Sequence, residues 1–295
     1  MKFVFDNYII HPVKMIFLIL TIVCSTSIAL ILKFSDTKKG SPILLLSANY
    51  FVASLITLLF LIFGDEITFS WHSFIFGALL GVMFVFSFFA FTKAVSSSGA
   101  SLSSVSSRLS VVIPILLSII FYNEIPNRFQ FVGFIFAVIT IILFYFSIRR
   151  FNEGSLRFTD YFYLFALLAG IGINDFSMKI FQQWRPGNEK PVFLFSIFTF
   201  AFIYTAAIVF IKKIPLNNRT ILTGFALGVP NIFSSFFLLS ALASLPAIIV
   251  YPVVNIGVIL FTTLGAVIFW KEKIGFFGKL ALLSGTIAIF LLSIK

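Results

Sequence analysis

Arg108 is the residue of this chain whose position most demands a chemical role. It stands about nine residues into an apolar stretch, ~13 Å along a helix from its start. Placing a guanidinium there in hydrocarbon costs at least about 2.5 kcal/mol, so it needs a partner. Ser97, Ser101, Ser104 and Arg108 recur at spacings of 4, 3 and 4, and Ser103, Ser107 and Ser110 form an adjacent stripe. Most of one broad helical face is therefore polar. Serines can simply let helices approach closely around a structural ion pair. Nine serines between Ser96 and Ser110 exceed that need, which favours a water-filled wall whose fixed cation grips a carboxylate or phosphate in bidentate fashion. Asp175 is the only carboxylate well inside an apolar stretch, ~21 Å along its helix. It can pair with Arg108 as a static lock or as a switch opened by substrate or by a proton, which makes it the coupling candidate. Together with Asn174 it can alternatively take the ammonium of an amino acid.

These groups need elements to hold them, and the composition decides which. Sixty per cent of the 295 residues are hydrophobic and 11% are charged, a balance suited to lipid and not to a soluble enzyme. The net charge of +11 comes from short Lys/Arg clusters between apolar runs, forming no stripe or basic tail for nucleic acid. About 20 apolar residues cross a bilayer as a helix. Ten such runs fit, at 13–33, 42–63, 72–93, 99–122, 127–148, 160–181, 191–212, 220–243, 247–270 and 275–294. The first, preceded by Lys2 and Lys14, is longer than a signal-peptide core and is expected to be retained. Pro42 and Pro191 open helices, where a missing N–H costs little. Pro114, Pro230, Pro246 and Pro252 lie within or at the start of runs and permit kinks. Cys24 is the single cysteine, and no HExxH, GxSxG, GxxxxGK[ST] or CxxC occurs, so no metal site, cofactor, protease, hydrolase or ATP-driven pump is indicated.

A shift of 148 residues lays Ser118–Phe129 (SIIFYNEIPNRF) on Ala266–Phe277 (AVIFWKEKIGFF) without a gap, matching Glu124 to Glu272. A shift of 146 lays Lys33 on Lys179. Coincident charges at the ends of runs mark an internal duplication. Five crossings per half invert the second half, a plan common among secondary transporters. The same alignment sets Ser103 and Ser107 against Tyr251 and Asn255, both pairs four residues apart on one face. It leaves Arg108 and Asp175 opposite Ile256 and Ala29. The two charges are thus not part of the duplicated scaffold. Asn231, with Ser234 and Ser235, adds polarity to the eighth run, through lining or interhelical bonding. Glu124 and Glu272 are expected to be structural, pairing with Arg128 and with Lys271 and Lys273. Lys33, Lys93 and Lys179 are expected to reach headgroups from the ends of runs.

The unit ending RLSVVIPILLSIIFYNEIPNRFQFVGFIFAVITIILF, echoed near the C-terminus, resembles the EamA-type repeat of the drug/metabolite transporter superfamily. Its pattern of a glutamate followed nine residues later by a small residue is met by Glu124 with Gly133 and Glu272 with Ala281, and Ala90–Val105 resembles the family's third-to-fourth helix junction. The resemblance implies ten helices around a central cavity, alternating access and a small metabolite cargo.

The expectation is an all-α membrane protein of ten transmembrane helices in two inverted five-helix repeats, 1–148 and 149–295, in the cell (inner) membrane of a bacterium. It is expected to be a secondary transporter of a small polar or anionic metabolite such as an amino acid or organic acid. A lipid-linked carrier or flippase of the same fold, or a non-transporting membrane scaffold, is the alternative. Candidate substrate-binding residues are Arg108, Ser104, Ser103, Ser107, Asn174, Asp175, Asn231, Tyr251 and Asn255. The expected partners are a small molecule, the bilayer and protons as coupling ion, with nothing pointing to an oligomer. Orientation is contested within the sequence: the family resemblance places both termini in the cytoplasm, whereas 13 of the flanking Lys and Arg lie on the opposite side and 7 on theirs.

Overall fold

A computed structural model describes residues 12–34, 40–64, 67–148, 158–271 and 275–294. Its elements are ten α-helices: α1 Pro12–Phe34, α2 Pro42–Phe63, α3 Trp71–Leu109, α4 Val112–Tyr122, α5 Arg128–Ile148, α6 Phe158–Trp184, α7 Lys190–Ile211, α8 Asn218–Ser244, α9 Ala247–Trp270 and α10 Phe276–Leu292. A single 3-10 turn, Gly187–Glu189, precedes α7. No strand forms among the described residues. Eight helical stretches are long and apolar enough to cross a membrane, and Ser106–Tyr122 and Phe276–Leu292 are shorter apolar helices. With backbone polar groups satisfied inside each helix and apolar side chains outward, the chain is an integral membrane protein.

Most boundaries follow from residue type. Ser41 precedes Pro42 and Glu189 precedes Lys190 and Pro191, so both helices open on a proline in the first turn. Asn217 caps α8 by accepting from the Thr220 N–H. Helices α4 and α9 end on Asn123 and Lys271, two non-glycine residues at positive φ (52° and 53°) and 148 positions apart.

The third and fourth crossings depart from expectation. The backbone stays helical through the serine-rich segment where a gap between 93 and 99 was expected, and it breaks instead at Ser110–Val111. Pro114 is the cause. It has no N–H to give the Ser110 carbonyl one turn back, and that carbonyl accepts from Ile113 at 3.0 Å instead. Contacts with α6 fall on both sides of the serine-rich segment. Before it, Ser87 packs on Gly170 and Ala94 clusters with Leu167. After it, Ser106 bonds the Leu164 carbonyl, Ile113 packs on Gly172 and Glu124 reaches Lys179. Trp71–Ser98 is long and apolar enough for the third crossing, and Ser106–Tyr122 is the shorter apolar stretch of the fourth.

Glycine sets the closest helix contacts. Gly77 and Gly81 of α3 lie against the Phe193 and Ile197 carbonyls of α7, and a Cβ at either would stand 2.6 or 2.7 Å from them. The same contact recurs 147 residues on, where Gly224 and Gly228 of α8 meet the Leu45 and Asn49 carbonyls of α2 at 2.5 and 2.7 Å. Thr57 and Thr205 likewise repeat one another, each bonding carbonyls three and four residues back.

Packing is unequal at the two ends of the bundle. At the near face, where α1 starts, the seven residues Ala247–Val253 of α9 are all buried. Toward the far face, no described residue of α6 before Leu167 and none of α1 after Thr26 is buried. The start of α9 at the near end is thus more deeply buried than the start of α6 or the end of α1 at the far end.

Gly224→Ala is expected to destabilise the protein by about 1–3 kcal/mol, because its methyl would meet backbone that cannot rotate away. Gly187→Ala, whose Cβ meets nothing within 4 Å, is the control. Thermal unfolding in detergent should show a lower Tm for the first and an unchanged one for the second.

Candidate substrate site

The break in the fourth crossing leaves Arg108 in the last turn of α3, where a cation is favoured by the helix dipole. Its Nη1 donates to Asn255 Oδ1 at 3.3 Å. Asn255 in turn donates through Nδ2 to the Tyr251 carbonyl at 3.2 Å, and the Tyr251 hydroxyl donates to the backbone carbonyl of Asp175. One polar chain therefore joins α3, α9 and α6. The i, i+4 spacing of Tyr251 and Asn255 puts both on the face of α9 that meets Arg108 on one side and Asp175 on the other.

The two charges are neighbours without being a pair. Arg108 and Asp175 act on each other electrostatically, yet no N···O approach within 4.0 Å joins them among the described residues. Asn255 takes one donor of the Arg108 fork and the rest of it has no described partner, nor has the Asp175 carboxylate. Both side chains are half-buried. Opposite charges inside a bundle, each with hydrogen-bonding capacity unspent, are what a ligand with complementary groups would complete.

Other candidates take different positions. Asn174, 8% exposed, donates through Nδ2 to Ser87 Oγ at 2.9 Å, while its Oδ1 is buried with no partner. Ser103 is fully buried, and Ser104 and Ser107 are half-buried on the Arg108 helix. The Ser107 carbonyl accepts from Ser110 Oγ at 2.7 Å. Asn231 instead bonds Asn49 Oδ1 across to α2 at 3.2 Å, and Ser234 bonds Ser25 of α1 at 2.7 Å. Those contacts are interhelical ties, and none joins Asn231 to Arg108. The side chain of Ser101, and all of His11, Glu272 and Lys273, lie outside the described residues. No cluster of three or more His, Cys, Asp or Glu that could hold a metal occurs among the described residues. A cavity of about 300 Å³ lined by His72, Phe76, Ile180, Phe181, Trp184 and Arg185 sits at the near end and contains none of the candidates.

Two expectations are corrected. Lys179, expected at the headgroups, is 1% exposed and pairs with Glu124 Oε1 at 2.6 Å. Glu124 therefore binds Lys179, not Arg128, and its Oε2 also accepts the Ile248 N–H at 3.1 Å in the first turn of α9. The Lys179 ammonium lies 5.6 Å from the centre of the Tyr122 ring. The signal for this pair was present in the duplication, which singled out Glu124 and Lys179 separately without joining them.

Residues 13–146 match the model of the EamA-like transporter family. An uncharacterized protein of Haemophilus influenzae is 28% identical over 284 residues, covering 93% of this chain and 96% of its own. A protein of known crystal structure superposes with a TM-score of 0.75 at 14% identity over 96% of both chains, a likeness of fold.

Proposed function

We infer that this membrane protein, whose residues 13–146 match the EamA-like transporter family, is a secondary transporter that moves a small polar or anionic metabolite, of the amino acid or organic acid class, by alternating access. The observation that carries the reading is the unspent pair at the centre of the bundle. Arg108 and Asp175 influence one another electrostatically without forming an ion pair, and each keeps hydrogen-bonding capacity with no described partner, where charges are costly unless paired. A carboxylate completes the Arg108 fork, and an ammonium or a proton satisfies Asp175.

The two-repeat plan, 1–148 and 149–295, is part of the proposal and draws support from the matched glycine contacts, the matched threonine bonds and the matched left-handed helix ends. An inverted pair of such units gives two related packings of one scaffold. The deeper burial at the start of α9 than at the start of α6 is compatible with one of them. The bacterial inner membrane suits a chain with a bacterial relative of the same span. The family is one of transporters, and the site holds charge and hydrogen-bonding groups without an activated nucleophile.

Reconstituted protein supplied with a mixed metabolite pool tests the reading. Arg108→Ala is expected to abolish uptake and efflux while the protein remains monodisperse, and Arg108→Lys to recover little, since a point charge cannot reproduce the fork. Full transport by Arg108→Ala, or loss of folding in place of activity, would make Arg108 a structural residue. With a transported metabolite in hand, a pH gradient of either sign is expected to alter net flux in the native protein. Asp175→Asn should remove that dependence. Equal flux with and without the gradient in the native protein would exclude proton coupling through Asp175.

A further inference from the structure

The buried Glu124–Lys179 pair has no part in the site just described, and its surroundings give it another task. Lys179 follows Asp175 by one turn of α6, so the pair lies on the near-face side of the central charges. On its α9 side the surroundings are apolar and buried, with Ile248 3% exposed and Ala247 and Val250 fully buried, while Glu124 itself is half-buried. Three helices meet there. Glu124 follows the end of α4, Lys179 belongs to α6, and the Ile248 N–H opens α9. The carboxylate is fully engaged, with one oxygen on the ammonium and the other on the helix N-terminus, where the dipole favours an anion.

We propose that Glu124 and Lys179 are positioning residues forming a releasable seal, which closes the near face and gives way when that face opens; the proposal rests on the transport reading above. The physical reason is the choice of an ion pair where apolar residues would pack equally well. Burying two charges costs desolvation that roughly cancels their attraction, so the closed state gains geometry from the pair and little net stability. When the near end opens, both charges regain water and the cost is refunded. An apolar seal would instead expose its whole surface on opening, and would hold the end shut. The pair thus fixes which helices meet, without making their separation expensive.

This account assigns opposite signs to two kinds of variant. Removing one partner leaves a bare buried charge that only hydration relieves, which drives the near end open. Replacing both leaves an apolar contact that resists opening. The reporter is Ala247→Cys in a Cys24→Ser background, a fully buried position at the start of α9. It is read by the rate of reaction with a membrane-impermeant thiol reagent. Lys179→Met and Glu124→Gln, the latter keeping an acceptor for the Ile248 N–H, are each expected to react about tenfold faster than the parent, or more. The double variant Lys179→Met/Glu124→Gln is expected to react no faster than the parent. Should a single variant fail to stay monodisperse, Glu124→Asp, which retains the charge and shortens its reach, replaces it under the same criterion. Single variants that fold and react at the parent rate would overturn the proposal, as would a double variant that reacts as fast as the singles. Labelling needs no cargo, so a protein that moved no metabolite in any assay would sink the transport reading while leaving this result to be judged separately.

Discussion

Charge in hydrocarbon must be answered by charge or by water, and this chain answers it in two ways at two depths. At the near end, Glu124 and Lys179 meet at 2.6 Å beside buried apolar residues of α9, with the second carboxylate oxygen spent on the α9 backbone. One turn deeper, Arg108 and Asp175 influence each other but leave most of their hydrogen-bonding capacity unused. A complete pair belongs to packing and closure. An incomplete one marks a candidate site, because an unpaired charge in the bilayer interior is costly without a ligand or a path for water.

The rest of the structure serves to hold these two levels in register. Helices α3 and α7, and α2 and α8, approach until glycine meets backbone carbonyl, a contact that fixes their axial positions more firmly than larger side chains could. Asn49–Asn231, Ser25–Ser234 and Ser54–Thr199 tie α2 to α8, α1 to α8 and α2 to α7 with single neutral hydrogen bonds. At the near face, Arg185 bonds both Glu189 oxygens and Ser70, anchoring the turn between α6 and α7 to the start of α3. Around this frame, α4 and α9 supply the proline-interrupted segments. The Pro114 break brings Arg108 to a helix end, while Pro246 opens α9 beside the Glu124 carboxylate.

Much of this was legible in the sequence, for reasons that can be named. A bilayer of fixed thickness makes helix count a matter of apolar length, and charges or turn formers mark the ends, so eight of the ten runs agree with the helices to within a few residues. Arg108, Asp175, Tyr251 and Asn255 were legible because polar residues on one face of an apolar helix are costly and stand out. The third and fourth runs match the apolar stretches Trp71–Ser98 and Ser106–Tyr122, and only the helix break between them was misplaced, because the backbone stays helical through the serines and Pro114 dictates the break. The duplication marks Glu124 and Lys179 separately, but the bond between them was not legible. Each residue sits beside plausible headgroup or neighbouring-charge partners in sequence, and only the arrangement of α4 against α6 excludes those in favour of one another.

If the Arg108 level is a transport site, it is reached from one face of the membrane at a time. A single cysteine at Ser107, half-buried one residue before Arg108, tests it in a Cys24→Ser background reconstituted with known orientation. The measurement is its reaction with an impermeant reagent added to either face, with and without a saturating transported metabolite. Reaction from the far face alone, shifting toward the near face when metabolite is present, is the result expected. Equal reaction from both faces at once, or from neither under any condition, would contradict it.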